Sequence, residues 1–454
     1  MRKSHIPYRV YLSENELPES WYNIRADLPN LSPYLNPQTK KPVVPQEMFA
    51  IFPEELVKQE MSNERYITIP EEVRELYRSF RPSPLCRAHN LEKLLDTPAR
   101  IYYKYEGNNP SGSHKLNTAI PQAYYNYKAG IRRLATETGA GQWGTALSVA
   151  TQLFGMECTV YMVKISSLQK PYRKLLMETY GAKVNPSPSN LTEAGRAILQ
   201  QDPGSMGSLG IAISEAVEDA ATHSDTNYAL GSVLDHVILH QTIIGLEAKK
   251  QMEKIEEYPD TIIACCGGGT NFGGIAFPFL HDNIRGGKKT EIIAVEPAAC
   301  PTLTRGKYAF DYSDVAHLTP IVEMYTLGHG FMPPGIHAGG LRYHGDSALV
   351  SRAYHDGLIG ARAVHQTDVF KAAIQFAKSE LILPAPESAH AIKVAIDEAL
   401  KCKETGEAKS ILFCLSGHGN FDLTAYEEYT SGKLEDCEYP DELLEEGLKT
   451  LPKI

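Results

Sequence analysis

The stretch "RRLATETGAGQWGTALSVATQLFGMECTVYMVK", Arg132 to Lys164, predicts a strand, a loop, a helix and a second strand in turn. The strand "RRLATE" (132–137) precedes the helical pattern "GQWGTALSVATQLFG", which ends at Gly155, and "CTVYMVK" (158–164) follows. Two strands separated by a helix cannot form a hairpin, so they are expected to lie parallel through a right-handed crossover. This unit places the chain in the α/β class.

The same alternation continues on both sides of this unit. On the N-terminal side, "RIYYKYEG" (100–107) predicts a strand, and Ser113 is a plausible N-cap for a helix that runs towards Gly130 and is kinked at Pro121. Further along the chain, strands and helices are predicted over "QKPYRKLLMETYGA", "KVNPSP", "DTIIACCGGGTNFGGIAFPFL", "TEIIAVEP", "AIKVAIDEALKCKETG" and "KSILFCLSGHGNFD", with a helical middle between them. The pattern indicates two α/β halves joined near residues 235–250.

Length and charge narrow the class of protein. The chain has 454 residues, with 45 Lys and Arg against 55 Asp and Glu, and a formal charge of -10. It contains no basic run, so a nucleic-acid partner is not expected. No window resembles a signal peptide or a membrane span, which favours a cytoplasmic protein without a membrane partner.

The cysteines and histidines show no pattern typical of disulfides or of a metal site. The eight cysteines form no CxxC pair and several lie in apolar runs, so buried free thiols are the preferred interpretation. A metal site at His329, His337 and His344 is not favoured, because the Gly/Pro loop between them lacks regular ligand spacing.

The strongest local motif is "IIACCGGGTNFGG", Ile262 to Gly274. Three glycines after an apolar strand, followed by a helix, leave backbone N–H groups free to bind an anion at the positive helix end. The motif lacks the lysine of a nucleotide P-loop and the spaced glycines of a dinucleotide site, so a small phosphate-bearing ligand is favoured. The alternative is a tight strand-to-helix turn.

A second loop of this kind is "TETGAGQWG", Thr136 to Gly144. Its amides could bind another anion, such as an amino-acid carboxylate, at the start of a helix. Glu137 ends the preceding strand, where α/β sheets place their ligands, so it is a candidate acid-base or substrate-orienting group. The alternative is an exposed loop glutamate.

Lys115, in "SGSHKLNTA", lies at the predicted helix start, which is a poor structural position for a cation. Desolvation there would disfavour the ammonium form and give a nucleophilic amine, although a solvated lysine is the alternative. Ser416, in "LSGHGN", could meet a ring nitrogen or simply cap a helix. A lysine together with a phosphate site and a carboxylate site predicts pyridoxal 5'-phosphate as the cofactor.

Five motifs resemble those of the tryptophan synthase β-subunits, within the fold-type II pyridoxal-phosphate enzymes. They are "GSHKLNTA", "ETGAGQWG", "GGGTNFGG", "LPAPESAHA" and "CLSGHGN". The long leader and the segments "SLGIAISEAVEDA" and "PPGIHAGGLRYHG" resemble the divergent second type of β-subunit. The resemblance implies two three-layer α/β/α domains with mainly parallel sheets. It implies an N-terminal extension (1–80), a domain carrying the lysine (81–245) with a mobile subdomain (about 130–230), a domain carrying the phosphate site (246–430) and a tail (431–454).

The resemblance also implies roles for individual residues. Lys115 would hold the cofactor covalently and carry the α-proton of the substrate, while Glu137 would orient indole and help the serine hydroxyl leave. His114 would lie beside the cofactor. The phosphate would be bound by Gly267, Gly268, Gly269, Thr270 and Asn271.

Two further groups of residues follow from the same resemblance. Glu387 would line the ring of the cofactor, and Ser416 would hydrogen-bond with its pyridine nitrogen. A neutral hydroxyl there favours β-elimination and β-replacement over transamination. The carboxylate of serine would be bound by Thr138, Gly139, Ala140, Gly141 and Gln142.

The implied activity is that of a lyase: the hydroxyl of L-serine is replaced by indole, and L-tryptophan and water are formed. The alternative within the same fold is a serine or threonine deaminase, or a β-replacement enzyme for another nucleophile. No metal ligands are assigned, although the family also implies a monovalent cation.

The chain departs from the main β-subunit type at three places. Trp143 stands where that type has a histidine, and Arg342 stands where it has a loop aspartate. An arginine there could pair with an acidic group of the substrate or of the protein, so Arg342 is a candidate substrate-binding residue. The segment "SLGIAISEA" lacks the lysine used in coupling to an α-subunit. These departures favour a stand-alone homodimer that uses free indole over a complex with an α-subunit.

Overall fold

The structure, a computed structural model, describes residues 7–454, so the first six residues of the predicted extension lie outside the described part of the chain. Within it the strands β1 to β15, in chain order, are Arg9–Val10, Ser20–Tyr22, Tyr66–Thr68, Leu85–Arg87, Arg100–Tyr105, Arg133–Thr138, Glu157–Val163, Lys183–Ser187, Thr226–Tyr228, Thr261–Cys265, Glu291–Pro297, Lys307–Tyr312, Ile321–Thr326, Gly360–Val364 and Ser410–Leu415.

The α-helices of the same residues are numbered α1 to α19. In chain order they are Pro45–Met48, Glu54–Glu60, Glu71–Tyr77, His89–Leu95, Leu116–Lys128, Gln142–Leu153, Lys164–Gln169, Pro171–Thr179, Glu193–Gln201, Leu209–Thr222, Asp235–Gln241, Ile243–Lys254, Thr270–Ile284, Thr302–Arg305, Ala348–His355, Gln366–Glu380, Pro386–Thr405, Leu423–Thr430 and Asp441–Leu448. No helix among residues 7–454 is long and apolar enough to cross a membrane.

The larger sheet has the strand order β1-β4-β5-β15-β10-β11-β14 and is parallel from β5 to β14. Alternate side chains of β10 enter two different cores: Ile262 and Ala264 belong to one, and Ile263 belongs to the other. Both faces of the sheet are therefore covered, as the near-continuous apolar strands predict. The predicted three-layer α/β architecture with mainly parallel sheets is confirmed.

The smaller sheet, β8-β7-β6-β9, is entirely parallel and contains the predicted strand–helix–strand unit. Leu134 of β6 packs into the core that it shares with the larger sheet, whereas Ala135 packs into a separate core on the opposite face. The loops after β6, β10 and β15 leave the carboxyl ends of parallel strands, where open α/β sheets bind their ligands.

Two local predictions need correction. Ser113 is not the N-cap of α5, because it pairs with the loop after β15: Ser113 forms an isolated β-bridge with Gly417, and the His114 N–H donates to the Ser416 carbonyl over 2.8 Å. The helix predicted over "QKPYRKLLMETYGA" is present as α8, which begins at Pro171, and the short helix α7 lies just before it. The helical middle is divided at Thr242.

The N-terminal extension is an integral part of the folded body. Trp21 and Tyr22 are fully buried in the core shared by both sheets, and β1 adds an antiparallel edge to the larger sheet. The strand β5, which precedes Lys115, pairs with β15 from the C-terminal part of the chain. The larger sheet therefore draws on both predicted domains, and the predicted domain boundaries remain a prediction.

Candidate active site

The loop between β10 and α13 forms a glycine-lined recess. A side chain at Gly268 would collide with Val233 and Ser232, whose atoms lie 2.8 and 2.9 Å from a Cβ placed there. Gly269 has φ +95°, a conformation that L side chains rarely adopt, and it caps α13 without a side-chain hydrogen bond. The first N–H groups of this 15-residue helix are consequently free of a capping side chain.

Lys115 lies at the N-cap position of α5, one residue before the first helical residue, Leu116. Its ammonium group contacts the Gly231 carbonyl over 3.3 Å. Burial lowers the pKa of Lys115, and the nearby Glu387, Cys265 and Glu137 oppose this effect. The neutral amine form of Lys115 is therefore more populated than that of a solvated lysine.

Lys115 lines two adjoining cavities. The first brings together the predicted cofactor residues His114, Gly267, Gly268, Gly269, Thr270, Asn271, Glu387 and Ser416. The second contains Glu137 and the predicted carboxylate residues Thr138, Gly139, Ala140 and Gln142. Both cavities also share Ser232 and Gly340, which the sequence did not single out.

Ser416 and Glu387 both line the first cavity. The Ser416 hydroxyl lies 2.8 Å from that of Ser388, a partner that was present in the motif "PESAHA" but was not recognised. Glu387 accepts a hydrogen bond from the Gln142 amide at 3.0 Å and another from the Gly340 N–H at 2.9 Å. Glu387, which lines the first cavity, is therefore linked directly to the predicted carboxylate loop.

The second predicted anion site is the loop before α6. Gly141, with φ +91°, caps this 12-residue helix without a side-chain hydrogen bond, so it repeats the arrangement at Gly269. Gly141 itself, a predicted substrate-binding residue, is not among the residues that line either cavity. The Thr138 hydroxyl accepts a hydrogen bond from the Gly144 N–H at 3.1 Å and so stabilises the start of the helix.

Glu137 is buried at the second cavity and is not an exposed loop residue. Burial raises its pKa to about 7, although Tyr228 and Lys115 oppose this effect. The Tyr228 hydroxyl donates to Glu137 Oε2 over 2.6 Å. Tyr228 lies on β9, and no local sequence signal marked it as a partner of Glu137.

The structure places Arg342 beside these cavities but not in their walls. Its guanidinium donates to the Ser166 hydroxyl over 2.6 Å and lines a neighbouring pocket next to Gly139 and Gly339. Burial lowers the pKa of Arg342. The role of Arg342 in substrate binding remains a prediction.

Trp143 and the three histidines of the disfavoured metal site all have hydrogen-bond partners within the protein. The indole N–H of Trp143 donates to the Thr136 hydroxyl over 2.6 Å. His329 lies 2.6 Å from Asp311, His337 lies 2.7 Å from Glu428, and His344 lies 2.8 Å from the Tyr312 carbonyl. Residues 7–454 contain no cluster of metal-ligating side chains. All eight cysteines are free thiols, and Cys437 differs from the other seven because it is exposed.

The first cavity suits a phosphorylated aldehyde such as pyridoxal phosphate. Within the described residues, Ser113 Oγ, His114 Nδ1 and Asn271 Oδ1 are buried without a hydrogen-bond partner, and all three residues line this cavity. Burial lowers the pKa of His114 to about 3, so its ring is neutral. A lysine amine, free helical N–H groups and a neutral hydroxyl at Ser416 together match the groups that such a cofactor presents.

Comparison with known proteins agrees with this geometry. The family model for pyridoxal-phosphate dependent enzymes matches residues 76–417. The chain is 61% identical over 432 residues to tryptophan synthase beta chain 2 of Aquifex aeolicus, which covers 94% of this chain and 100% of that protein. The identity to tryptophan synthase beta chain 2 of Methanosarcina acetivorans is 59% over 427 residues, covering 94% of this chain and 97% of the relative.

Solved structures agree at the level of the fold. A fungal L-serine ammonia-lyase from Rhizomucor miehei superimposes with a TM-score of 0.58 at 17% identity, covering 78% of this chain and 99% of that chain. Likeness at such low identity concerns the fold alone. The identities to the curated relatives are far higher and extend over almost the whole length. The chain belongs to the tryptophan synthase beta chains, within the family of pyridoxal-phosphate dependent enzymes.

Proposed function

We propose that this protein joins L-serine and indole to give L-tryptophan and water, with pyridoxal phosphate as its cofactor. The observation that supports this most strongly is the placement of Lys115 on the wall shared by two cavities, one lined by the glycine turn and the other by Glu137. A single amine can therefore serve both the cofactor site and the substrate site.

The residues of the first cavity would hold the cofactor. Lys115 would bind its aldehyde carbon, the N–H groups at Gly267 to Asn271 would bind its phosphate, and Ser416 would meet its ring nitrogen. When bound, the cofactor withdraws electrons from the α-carbon of an amino acid. Lys115, as a neutral amine, can then accept the α-proton of serine.

The loop before α6 would hold the serine carboxylate. Its free N–H groups lie at the positive end of a helix and beside the cavity that contains Glu137. Gln142 is fixed by Glu387, so the position of the loop is linked to the cofactor site.

Glu137 is suited to two successive tasks. Because its pKa is about 7, the protonated and ionised forms are both available near neutral pH. The protonated form can give its proton to the departing serine hydroxyl, which leaves as water. The resulting carboxylate can accept a hydrogen bond from the indole N–H and orient the ring for attack on the β-carbon.

The test is an assay of the purified protein with pyridoxal phosphate, L-serine and indole. We expect tryptophan in an amount equal to the indole consumed. Pyruvate without tryptophan would contradict the proposal and would favour the alternative, a serine or threonine deaminase. Omission of indole is the control, because it reports any pyruvate formed from serine alone.

We also propose that the protein acts in the cytoplasm as a stand-alone homodimer, with the domain boundaries predicted from the sequence. The absence of a lysine in "SLGIAISEA", which forms the start of α10, supports action without an α-subunit. Light scattering should give the mass of a dimer. An α-subunit added to the assay should leave the rate unchanged, and a clear increase in rate would contradict this part.

A further inference from the structure

Glu137 has a buried hydrogen-bond partner in a different strand. Tyr228, on β9, donates its hydroxyl to Glu137 Oε2 over 2.6 Å, and both side chains are buried. A hydrogen bond to an ionised carboxylate is stronger than one between neutral groups, and it stabilises the ionised form. The bond also holds the Glu137 carboxylate in one orientation at the wall of the second cavity.

Tyr228 is in turn held by the N-terminal extension. Strand β9 has three residues, lies at the edge of the smaller sheet and pairs only with β6 among the described strands. On its other side, the Tyr228 N–H donates to the Ile51 carbonyl over 2.9 Å. The Phe52 ring packs on the Tyr228 ring with a centroid separation of 5.8 Å.

Other titratable groups also face Glu137 and Tyr228. Lys115 faces Glu137 from the start of α5, and the Gly231 N–H points to the Glu137 carboxylate. Asp314, which follows β12, and Tyr343, which follows β13, face Tyr228, and Tyr343 also faces Glu137. The Tyr343 hydroxyl donates to the Ser313 carbonyl over 2.9 Å, so it is occupied elsewhere. Tyr228 is thus the side-chain hydroxyl that contacts Glu137 directly.

We propose that Tyr228 is a positioning residue for Glu137, and that the N-terminal extension holds Tyr228 in place through Ile51 and Phe52. This inference rests on the proposed function, in which Glu137 must be ionised to orient indole. The extension, remote from the cofactor residues in the sequence, thereby contributes to the substrate site.

The first test is Tyr228→Phe, which removes the hydroxyl and keeps the ring. The pKa of Glu137 should rise by about 1 unit, because its ionised form loses a hydrogen bond. At pH 7 this reduces the ionised fraction and lowers kcat/KM for indole by about 5-fold, with recovery near pH 9. Damage to the fold alone would not be reversed by pH.

Tyr161→Phe is the matched control. Tyr161 lies on the neighbouring strand β7, opposite Glu137 in register, and belongs to the same core as Tyr228. Its hydroxyl donates to Asp219 Oδ2 over 3.1 Å, so this variant also removes a hydrogen bond to a buried carboxylate. It should leave the pH profile for indole unchanged.

The second test concerns the extension and uses Phe52→Leu. We expect a smaller shift of the pH profile in the same direction, because the ring that packs on Tyr228 is lost. The control is Phe331→Leu, since Phe331 is also buried against a tyrosine ring, that of Tyr439, but in a different core. If Tyr228→Phe does not fold, as judged by circular dichroism, this pair of variants decides the question.

A measurement without turnover separates this inference from the proposed function. Glutamate labelled with ¹³C at the side-chain carboxyl gives an NMR signal for Glu137, assigned by its loss in Glu137→Gln, and its titration reports the pKa directly. A raised pKa in Tyr228→Phe, but not in Tyr161→Phe, supports the positioning role even if no tryptophan is formed. The same pKa in both variants would overturn it, and so would identical profiles for Phe52→Leu and Phe331→Leu.

Discussion

At the scale of the residue, Lys115 shows how position changes the chemistry of a side chain. The lysine lies at the N-cap of α5 and is desolvated by the cavity walls, and this burial lowers its pKa. The positive end of the helix adds to the same effect. A neutral amine is the form that attacks an aldehyde, so the fold prepares the lysine for its proposed task.

Replacement of this amine is the most direct test of its role. Lys115→Ala should remove the visible absorbance of covalently bound pyridoxal phosphate and lower the rate of tryptophan formation by at least about 100-fold, because both the attachment point and the base are lost. Absorbance spectra and the serine-plus-indole assay measure these effects. Lys371→Ala, at an exposed lysine of α16, is the control and should behave as the wild type. Full turnover by Lys115→Ala would refute the assignment.

The role of Glu137 in the reaction with indole should be separable from cofactor binding. Glu137→Ala removes the buried carboxyl group, and we expect kcat/KM for indole to fall by about 100-fold or more while pyridoxal phosphate still binds. Cofactor titration and steady-state kinetics provide the two readings. An equal loss of cofactor binding would mean that Glu137 has a structural role only.

At the scale of the element, the loop that precedes α13 requires glycine at position 269. The backbone there has a positive φ, and neighbouring side chains leave no room for a Cβ. In Gly269→Ala the new methyl group would lie 2.8 Å from Val350 and 2.9 Å from Asp346, at φ +95°. We expect the affinity for pyridoxal phosphate to fall at least about 10-fold, because the loop must move and its N–H groups no longer point towards the phosphate.

Gly286→Ala separates conformational strain from crowding. Gly286 also has a positive φ, +76°, but no atom lies within 4 Å of a Cβ placed there. This variant should lose some stability and keep its cofactor affinity, as measured by fluorescence titration. Equal affinities for the two variants would show that the loop tolerates a side chain at Gly269.

Helix α8 is tied to the turn before α18 by a buried ion cluster. Asp422 accepts hydrogen bonds from Lys170 over 2.6 Å and from Arg173 over 2.9 Å, and all three side chains are buried. Burial alone would raise the pKa of Asp422, but the two cations lower it to about 2. The stabilisation from this cluster is therefore present above the unfolded pKa of a carboxylic acid and is lost as pH falls towards 2.

Asp422→Asn leaves two buried cations without a counter-charge. The free energy of unfolding should fall by about 3–5 kcal/mol at pH 7, and the difference from the wild type should shrink as pH falls towards 2. Chemical denaturation gives both values. Asp356→Asn, which breaks the surface pair with Arg352, is the control and should cost less than about 1 kcal/mol. A similar loss in both variants would contradict this account of the cluster.

At the scale of the whole molecule, the N-terminal extension behaves as part of the core. Trp21 is fully buried, lies in the core shared by both sheets and packs against His240 with ring centroids 4.5 Å apart. A buried charge cluster lies close by: Arg81 contacts Glu106 and Glu247, and Lys104 also contacts Glu247. The extension and the body are therefore expected to unfold together.

Trp21→Ala tests this expectation. Removal of the ring should lower the free energy of unfolding by about 3–5 kcal/mol and leave a single transition in denaturation curves. Tyr66→Ala, at a 53% exposed aromatic residue of the same extension, should have little effect. A separate early transition in the wild type would mean that the extension unfolds independently.

The sequence by itself determined the α/β class, the parallel crossovers and the two glycine turns that precede helices, because strand–helix periodicity and glycine turns are local signals. It also predicted Lys115, Glu137 and Ser416 as site residues through their motifs, and all three line the two adjoining cavities. The start of α5 was predicted wrongly at Ser113, because the pairing of Ser113 with Gly417 joins distant parts of the chain and leaves no local signal.

Only the tertiary structure decided which distant residues meet. The contact of Tyr228 with Glu137, the bridge from Glu387 to Gln142 and the support of Tyr228 by Ile51 and Phe52 join positions far apart in the chain. The location of Arg342 was also decided by the tertiary structure. The sequence suggested Arg342 as a substrate contact, and the fold places it in a neighbouring pocket. The physical reason is that burial, hydrogen-bond partners and pKa depend on long-range packing, which local periodicity does not encode.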